Sequence, residues 1–145
     1  MANKKEEALD LAAIVAYAGR TLPKQYLNLV RSRWMRSYKT CNDYMKLVHS
    51  PGYYFAYSNY VSQVLNRDNT LVRLAVLDED EDIVLGFSVC SGHILHYVHV
   101  PKLYRKQGIG TMLMPDEVEW TTHLTKIGMR IWASKYPNIR FNPFL

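Results

Sequence analysis

HILHYVHVPKLYRKQGIG, residues 93 to 110, carries an apolar, histidine-bearing segment through a proline into a basic turn closed by two glycines one residue apart. HILHYVHV reads as a β-strand, and GIGTMLM beyond the turn opens a short helix that Pro115 ends early. At such a junction successive main-chain N–H groups point at one spot, and glycine lets an anion approach them closely. The stretch therefore reads as a phosphate cradle. A G-x-G pair alone is weak, since glycines also end strands and permit tight turns. Two commoner phosphate loops are excluded: there is no G-x-x-x-x-G-K-[ST], and no third glycine in the G-x-G-x-x-G register.

Upstream, LVRLAVL (71–77) and IVLGFSVC (83–90) flank the acidic run DEDED at 78–82. The spacing predicts an antiparallel hairpin with a loop of about five residues, and the carboxylates read as its polar tip rather than as a metal site. A hairpin at this place also argues against a doubly wound sheet. Pro23 starts PKQYLNLVRSRWMRSYK, where Leu27, Val30, Trp34 and Tyr38 share one helical face. After the breaker Ser50-Pro51-Gly52 comes a second helix, YYFAYSNYVSQVLNR, whose aromatic side reads as core and which Asp68-Asn69 ends. IVAYA (14–18) fits either a first strand or the extension of a leading helix. Downstream, VEWTTHLT reads as a strand, KIGMRIWASKY as a helix capped by Thr125, and IRFNPF as a last short strand. This order implies a mixed α/β sheet with helices on both faces.

The chain has 145 residues, of which 48% are hydrophobic and 21% charged, so we expect one self-sufficient globular domain over 1–145. Cys41 and Cys90 are far apart, without C-x-x-C spacing or clustered histidines, which suggests neither a disulfide framework nor a zinc site. The leading MANKKEEALDLAAIVAYAG is neither a signal peptide nor a membrane span. The expectation is a cytosolic protein with no membrane partner. Net charge is +5, and it is unevenly placed. Lys24, Arg31, Arg33, Arg36 and Lys39 occur without an acid between them, and Lys102, Arg105 and Lys106 flank the glycine turn. Such clusters suit an anionic partner, whether nucleic acid or a polyphosphate cofactor, or are solvated helix faces.

VHVPKLYRKQGIGTMLM resembles the cofactor motif of the GNAT superfamily of acyl-CoA N-acyltransferases, [RQ]-x-x-G-x-[GA] directly after the fourth strand; here it reads Arg105-Lys106-Gln107-Gly108-Ile109-Gly110. Val100-Pro101 and Tyr104 before the motif also follow the family habit, and the likeness runs from about residue 23 to the end. SRWMRSYK, VLGFSV and LHYVHV look like small GNAT proteins often carried by bacteriophages, which would place the protein in a host cytoplasm. The resemblance implies a GNAT-like, largely antiparallel sheet flanked by helices, with a shortened third helix and a truncated C-terminal end. It implies acetyl-CoA, or another acyl-CoA, as donor. The main chain of Val98 and Val100 would pair with the pantetheine arm, and amides from Lys106 to Thr111 would hold the pyrophosphate. Transfer would go directly to an amine through a tetrahedral intermediate, with no covalent enzyme species.

Direct transfer needs a neutral amine, and imidazole suits the removal of its proton. Strict alternation puts Ile94, His96, Val98 and Val100 on one face of the strand and Leu95, Tyr97 and His99 on the other. The resemblance places the base on the face of His96, acting directly or through water, with His99 second; a packed structural histidine is the other reading of each. The family's thiolate-protonating tyrosine, in the pattern N-x-x-A-x-x-[LF]-Y, aligns with Trp132, behind Thr125, Gly128 and Ile131. Indole cannot act as the acid, which leaves Tyr136, Ser134 or solvent. By resemblance alone, Trp34, Ser37, Tyr38 and His123 lie where acceptor residues sit, although the spacing of Trp34 fits core. The acceptor would be a protein lysine or N-terminus, of host or phage, or a small-molecule amine. An open acceptor side implies a homodimer. The alternative function is a nucleic-acid or protein-binding module that uses Arg31, Arg33 and Arg36.

Overall fold

A computed structural model describes residues 12–145, except for the side chains of residues 126, 127 and 131–133. Residues 1–11 of the leading segment lie outside it. Six strands form one sheet in sequence order: β1 (Ala12–Ala18), β2 (Thr70–Leu77), β3 (Val84–Ser91), β4 (Ile94–His99), β5 (Trp120–Thr121) and β6 (Arg140–Phe141). The helices are α1 (Lys24–Cys41), α2 (Ser50–Leu65), α3 (Ile109–Leu113) and α4 (Lys126–Lys135). IVAYA is thus a strand, paired with β2 from Ala12↔Leu77 to Ala18↔Leu71. It ends at Gly19, where a Cβ would collide with the carbonyl of Leu65 at the end of α2.

Pro23 stands at the N-cap of α1, and Tyr26, Val30 and Trp34 bury the face that the periodicity predicts. Pro51 lies in the first turn of α2, which buries Tyr53, Val61, Val64 and Leu65. Arg31 ties the two helices together, donating to the hydroxyl of Ser58 at 2.6 Å and to that of Ser62. The predicted hairpin is β2–β3, with DEDED in its exposed loop. Thr125 caps α4 as expected, its hydroxyl accepting the Gly128 N–H at 2.9 Å.

Fourteen buried residues, with Trp34, Phe87, Val89 and Tyr97 among them, pack between α1, α2 and one face of the sheet. A smaller cluster of Ala75, Leu85, Ile109 and Leu113 packs α3 on the other face, with Val100 and Tyr104 against it. Gly86 makes this second contact possible: a Cβ there would lie 2.9 Å from the carbonyl oxygen of His99 and 3.0 Å from Leu113. The first four strands are antiparallel, whereas β4, β5 and β6 run parallel.

Two expectations need correction. VEWTTHLT and IRFNPF supply only two paired residues each, because β5 meets β4 at Ile94↔Trp120 and Leu95↔Thr121 and no further. The alternation along β4 also breaks. Its register with β3 runs Phe87↔His99, Ser88↔Val98, Val89↔Tyr97 and then Cys90↔Leu95, which leaves His96 as an extra residue. A bulge of this kind breaks the two-residue period. Directly opposed residues share a face, so Val98 stays on the α3 side while Tyr97 and His99 face α1 and α2. His96 joins Tyr97 and His99 there instead of Val98 and Val100.

Candidate functional site

β4 and β5 are fastened at one end, where the N–H of Thr122 still reaches the carbonyl of Leu95 at 3.2 Å. Pairing stops at the bulged residue, and the strands then part. Between them opens a cleft of ≈ 850 Å³, lined by β4 from Leu95 to His99, the turn after it, residues 123–125 and the far end of α4. From His96 onward, β4 has no strand partner on the β5 side.

The turn is held by its own side chains. The Arg105 Nε–H donates to the carbonyl of Val100 at 2.8 Å, and the Tyr104 N–H to that of Pro101 at 2.9 Å. Two residues then take left-handed backbone: Lys106 at φ 64° and Gly108 at φ 83°. Left-handed residues in such a run turn successive amides inward, which is the geometry of an anion nest. The Met112 N–H bonds the Gly108 carbonyl at 3.1 Å, while the amides of residues 106–111 find no main-chain acceptor among the described residues. α3 is only five residues long, so these local amides matter more than its dipole. Ile109 is buried in the α3 cluster, which leaves only its amide for a ligand. Lys102, Arg105 and Lys106 line this end, and Arg130 and Lys135 line the cleft from α4. No described lining residue is an aspartate or glutamate.

Of the predicted donor-binding residues, Val98, Val100, Arg105, Lys106, Gly108, Ile109, Gly110 and Thr111 line the cleft, and Gln107 does not. Tyr136 lines it just past α4. The Ser134 hydroxyl donates to the carbonyl of Arg130 at 3.1 Å, and the side chain of Trp132 lies outside the described residues.

The three histidines differ in their surroundings. His96 is fully buried, with Nδ1 2.9 Å from the Thr122 hydroxyl and Nε2 2.9 Å from that of Ser91. His123 is bonded at both nitrogens too, to the Thr122 hydroxyl at 2.8 Å and to that of Tyr57 at 2.5 Å. The direction of this chain follows from its far end. The Thr70 hydroxyl lies 2.6 Å from the carbonyl of Val64 and 2.8 Å from the Ser91 hydroxyl. A carbonyl only accepts, so Thr70 donates to Val64 and Ser91 must donate to Thr70. His96 Nε2–H then donates to Ser91, Thr122 to His96 Nδ1, His123 Nδ1–H to Thr122, and Tyr57 to His123 Nε2. Burial, and then the charge of Arg67 3.5 Å away, lowers the His96 pKa to about 4. Burial, and then His96, lowers that of His123 to about 3. Both rings are therefore neutral at pH 7, as the chain of donors requires. The network joins α2, β2, β3, β4 and the end of β5 at the apex of the cleft.

His99 lines the cleft, and its ring nitrogens have no hydrogen-bond partner among the described residues. Its ring lies 5.7 Å from that of Phe87. Burial, then Arg33 and Arg105, lowers its pKa to about 4. On the opposite wall are Ser37 and Cys41 of α1, with the Ser37 hydroxyl 2.6 Å from that of Tyr97. Trp34 sits behind this wall, fully buried and stacked on Tyr97 with ring centroids 5.6 Å apart. Its place is the core. Tyr38 lies against His123, centroids 4.8 Å apart. Sequence reasoning missed Tyr57, Ser91, Thr70 and Thr122; the only signal for them was that a buried histidine needs hydroxyl or carbonyl partners.

No protein-family profile and no curated protein matches the sequence. Among solved structures, the chain is similar to a protein of Pyrococcus furiosus assigned as an acetyl transferase, with 15% identity over 90% of this chain and 80% of that one and a TM-score of 0.50. A ribosomal-protein-alanine N-acetyltransferase from Brucella melitensis biovar Abortus 2308 is 12% identical over 90% and 79% of the chains, with a TM-score of 0.42. An aminoglycoside N-acetyltransferase in complex with CoA is 13% identical over 90% and 76%, with a TM-score of 0.41. The likeness to the Pyrococcus structure is one of fold: a mixed α/β, six-stranded sheet flanked by helices, as in GNAT acetyltransferases.

Proposed function

We propose that the protein, as a single catalytic domain, is an N-acyltransferase that moves an acetyl group from acetyl-CoA directly to an amine. The observation that best supports this reading is the divergence of β4 from β5 beside a turn of inward amides and cations with no described carboxylate. The residues fit the donor. The free edge of β4 at Val98 and Val100 suits a pantetheine arm, and amides from Lys106 to Thr111 suit its pyrophosphate. Lys102, Arg105 and Lys106 add charge, as do Arg130 and Lys135 across the cleft.

Acetyl-CoA supplies the activated acyl carbon; the protein's part is to hold the donor, admit the amine and manage one proton. Of the two strand histidines, His96 has both nitrogens committed at the apex, so we assign proton removal to His99, whose ring is free and faces the cleft. His96 serves instead to hold the apex through Thr122 and Ser91. To Tyr136, which lines the cleft past α4, we assign the protonation of the departing sulfur.

The test is a thermal melt with and without millimolar acetyl-CoA. A ligand at 100 times its Kd stabilises by about 2.7 kcal/mol, a readable shift. Gly108→Glu should abolish the shift, but a side chain at φ 83° strains the turn by itself. Thr111→Glu adds the same carboxylate at an exposed helical position. Stabilisation of the wild type and loss of it in Thr111→Glu supports the reading; an unshifted wild type rejects it.

A further inference from the structure

Among the described residues, the walls on the acceptor side of the cleft carry no acid. Ser37 and Cys41 of α1, β4 from Leu95 to His99 and residues 123–125 line this side, and none of them is a carboxylate. A lysine side chain or a polyamine arrives as an ammonium ion. It needs a carboxylate to pair with and a base strong enough to take its proton, and these walls offer neither. The one lining imidazole with free nitrogens, His99, stands near Arg33 and Arg105, which oppose positive charge on it. Such a site works on an amine that keeps a substantial neutral fraction of its own near neutral pH. An α-amino group titrates near 7.8 and a lysine near 10.4, so at pH 7.4 the neutral fraction of the former is about 300-fold larger.

The rim continues the same chemistry. α1 ends at Cys41 in the cleft wall, and the side chain of the next residue, Asn42, fastens to the carbonyl of Leu124 at 3.0 Å. The chain that follows exposes Tyr44 (78%) and Leu47 (83%). The charges here are turned inward or paired. Lys39 donates to the carbonyls of Met45 and Val48 at 3.0 and 2.6 Å, and Lys46 pairs with Asp43 at 3.7 Å. An exposed apolar rim beside a cleft is the mark of a surface that receives an apolar chain.

We infer that the acceptor is the α-amino group of a polypeptide with apolar leading residues, and not a lysine side chain, a polyamine or another polycation. This rests on the donor reading above. The amine nitrogen forms its bond to the acyl carbon as the carbon–sulfur bond breaks; the nitrogen gives up one proton to His99 and thence to solvent, and the thiolate gains one. Tyr44 and Leu47 receive the first side chains of the acceptor.

The experiment uses the full chain with acetyl-CoA and follows thiol release at pH 7.4. One decapeptide begins Ala-Leu-Phe with a free α-amine and no lysine; a second has a blocked N-terminus and one lysine; spermidine is the third acceptor. The expected result is a kcat/KM for the first at least about 100-fold above the other two. Tyr44→Glu and Leu47→Glu should raise its KM several-fold and leave the melting shift with acetyl-CoA unchanged. Equal or faster turnover of the lysine peptide or spermidine overturns the inference. So does no turnover of the α-amine peptide by a protein that acetyl-CoA does stabilise, an outcome that leaves the donor reading standing. If acetyl-CoA gives no stabilisation, both fall.

Discussion

His96 and Tyr97, neighbours along β4, send their side chains to the same face of the sheet. The bulge at His96 lets Tyr97 stack on Trp34 while His96 reaches Ser91 and Thr122, and pairing with β5 stops at the same point. One inserted residue thus sets the cleft apex and decides which side chains stand behind it.

That buried network makes the fold sensitive to acid. His96 is held neutral, with its pKa lowered from 6.5 to about 4 by burial among Ser91, Thr122 and His123 and by Arg67. Between those values the unfolded chain binds the extra proton and the folded one does not, so stability rises with pH. The contribution is complete above about pH 6.5 and fades as pH falls towards 4; for His96 alone it is on the order of 3 kcal/mol. His99 and His123 act in the same direction. Urea denaturation at pH 7.5 and 5.0 should show a large loss at the lower pH, reduced in His96→Asn. Equal stability at the two values would show the rings to be accessible to protons in the fold.

Gly86→Ala should destabilise by about 1–3 kcal/mol, as overpacking does. Its Cβ would lie 2.9 Å from the His99 carbonyl and 3.2 Å from Val100 as well as against Leu113, so the end of β4 must move off α3. Stabilisation by acetyl-CoA should weaken in parallel. A variant as stable as wild type in chemical denaturation contradicts this packing.

Trp34→Ala should cost about 3–5 kcal/mol, the usual range for emptying a large buried site. Trp34→Phe should cost clearly less. The indole Nε1–H is buried without a hydrogen-bond partner among the described residues, so phenylalanine keeps most of the ring contact and removes an unsatisfied donor. Equal losses in the two variants, measured by denaturant titration, would mean that the indole N–H has a partner.

The arginines of α1 do not form one face. Arg31 is spent on Ser58 and Ser62 of α2, Arg33 donates to the carbonyl of Val84 at 3.3 Å, and Arg36 is exposed. Arg31→Met should therefore cost stability, about 1–3 kcal/mol for hydrogen bonds from a charged group. Binding to a duplex or single-stranded oligonucleotide should be weak, with a slope of log K on log salt shallower than about −1. A slope near −3 would restore these arginines as a nucleic-acid surface.

Much was legible locally. Pro23 and the four-residue spacing of Val30, Trp34 and Tyr38 mark α1 because a helix must bury one stripe. Thr125 is a cap in sequence and in structure. The turn at 105–110 is readable because only glycine takes the backbone of Gly108 without strain, although Lys106 adopts a similar φ without that warning. What was hidden depends on long range. Tyr57 meets His123 across 66 positions, and no local pattern marks such a pair.

The sequence by itself determined the helices, the β2–β3 hairpin and the phosphate-type turn, because periodicity, capping and backbone freedom act within a few residues. Only the tertiary structure decided that β1 is a strand, that β5 holds β4 for two residues and then leaves it, and that His96 turns towards Ser91 while His99 stays free in the cleft. A bulge is a property of two strands in register. A strand's own alternation cannot announce the extra residue, and with it the faces of three histidines and the mouth of the cleft depend on the partner strand.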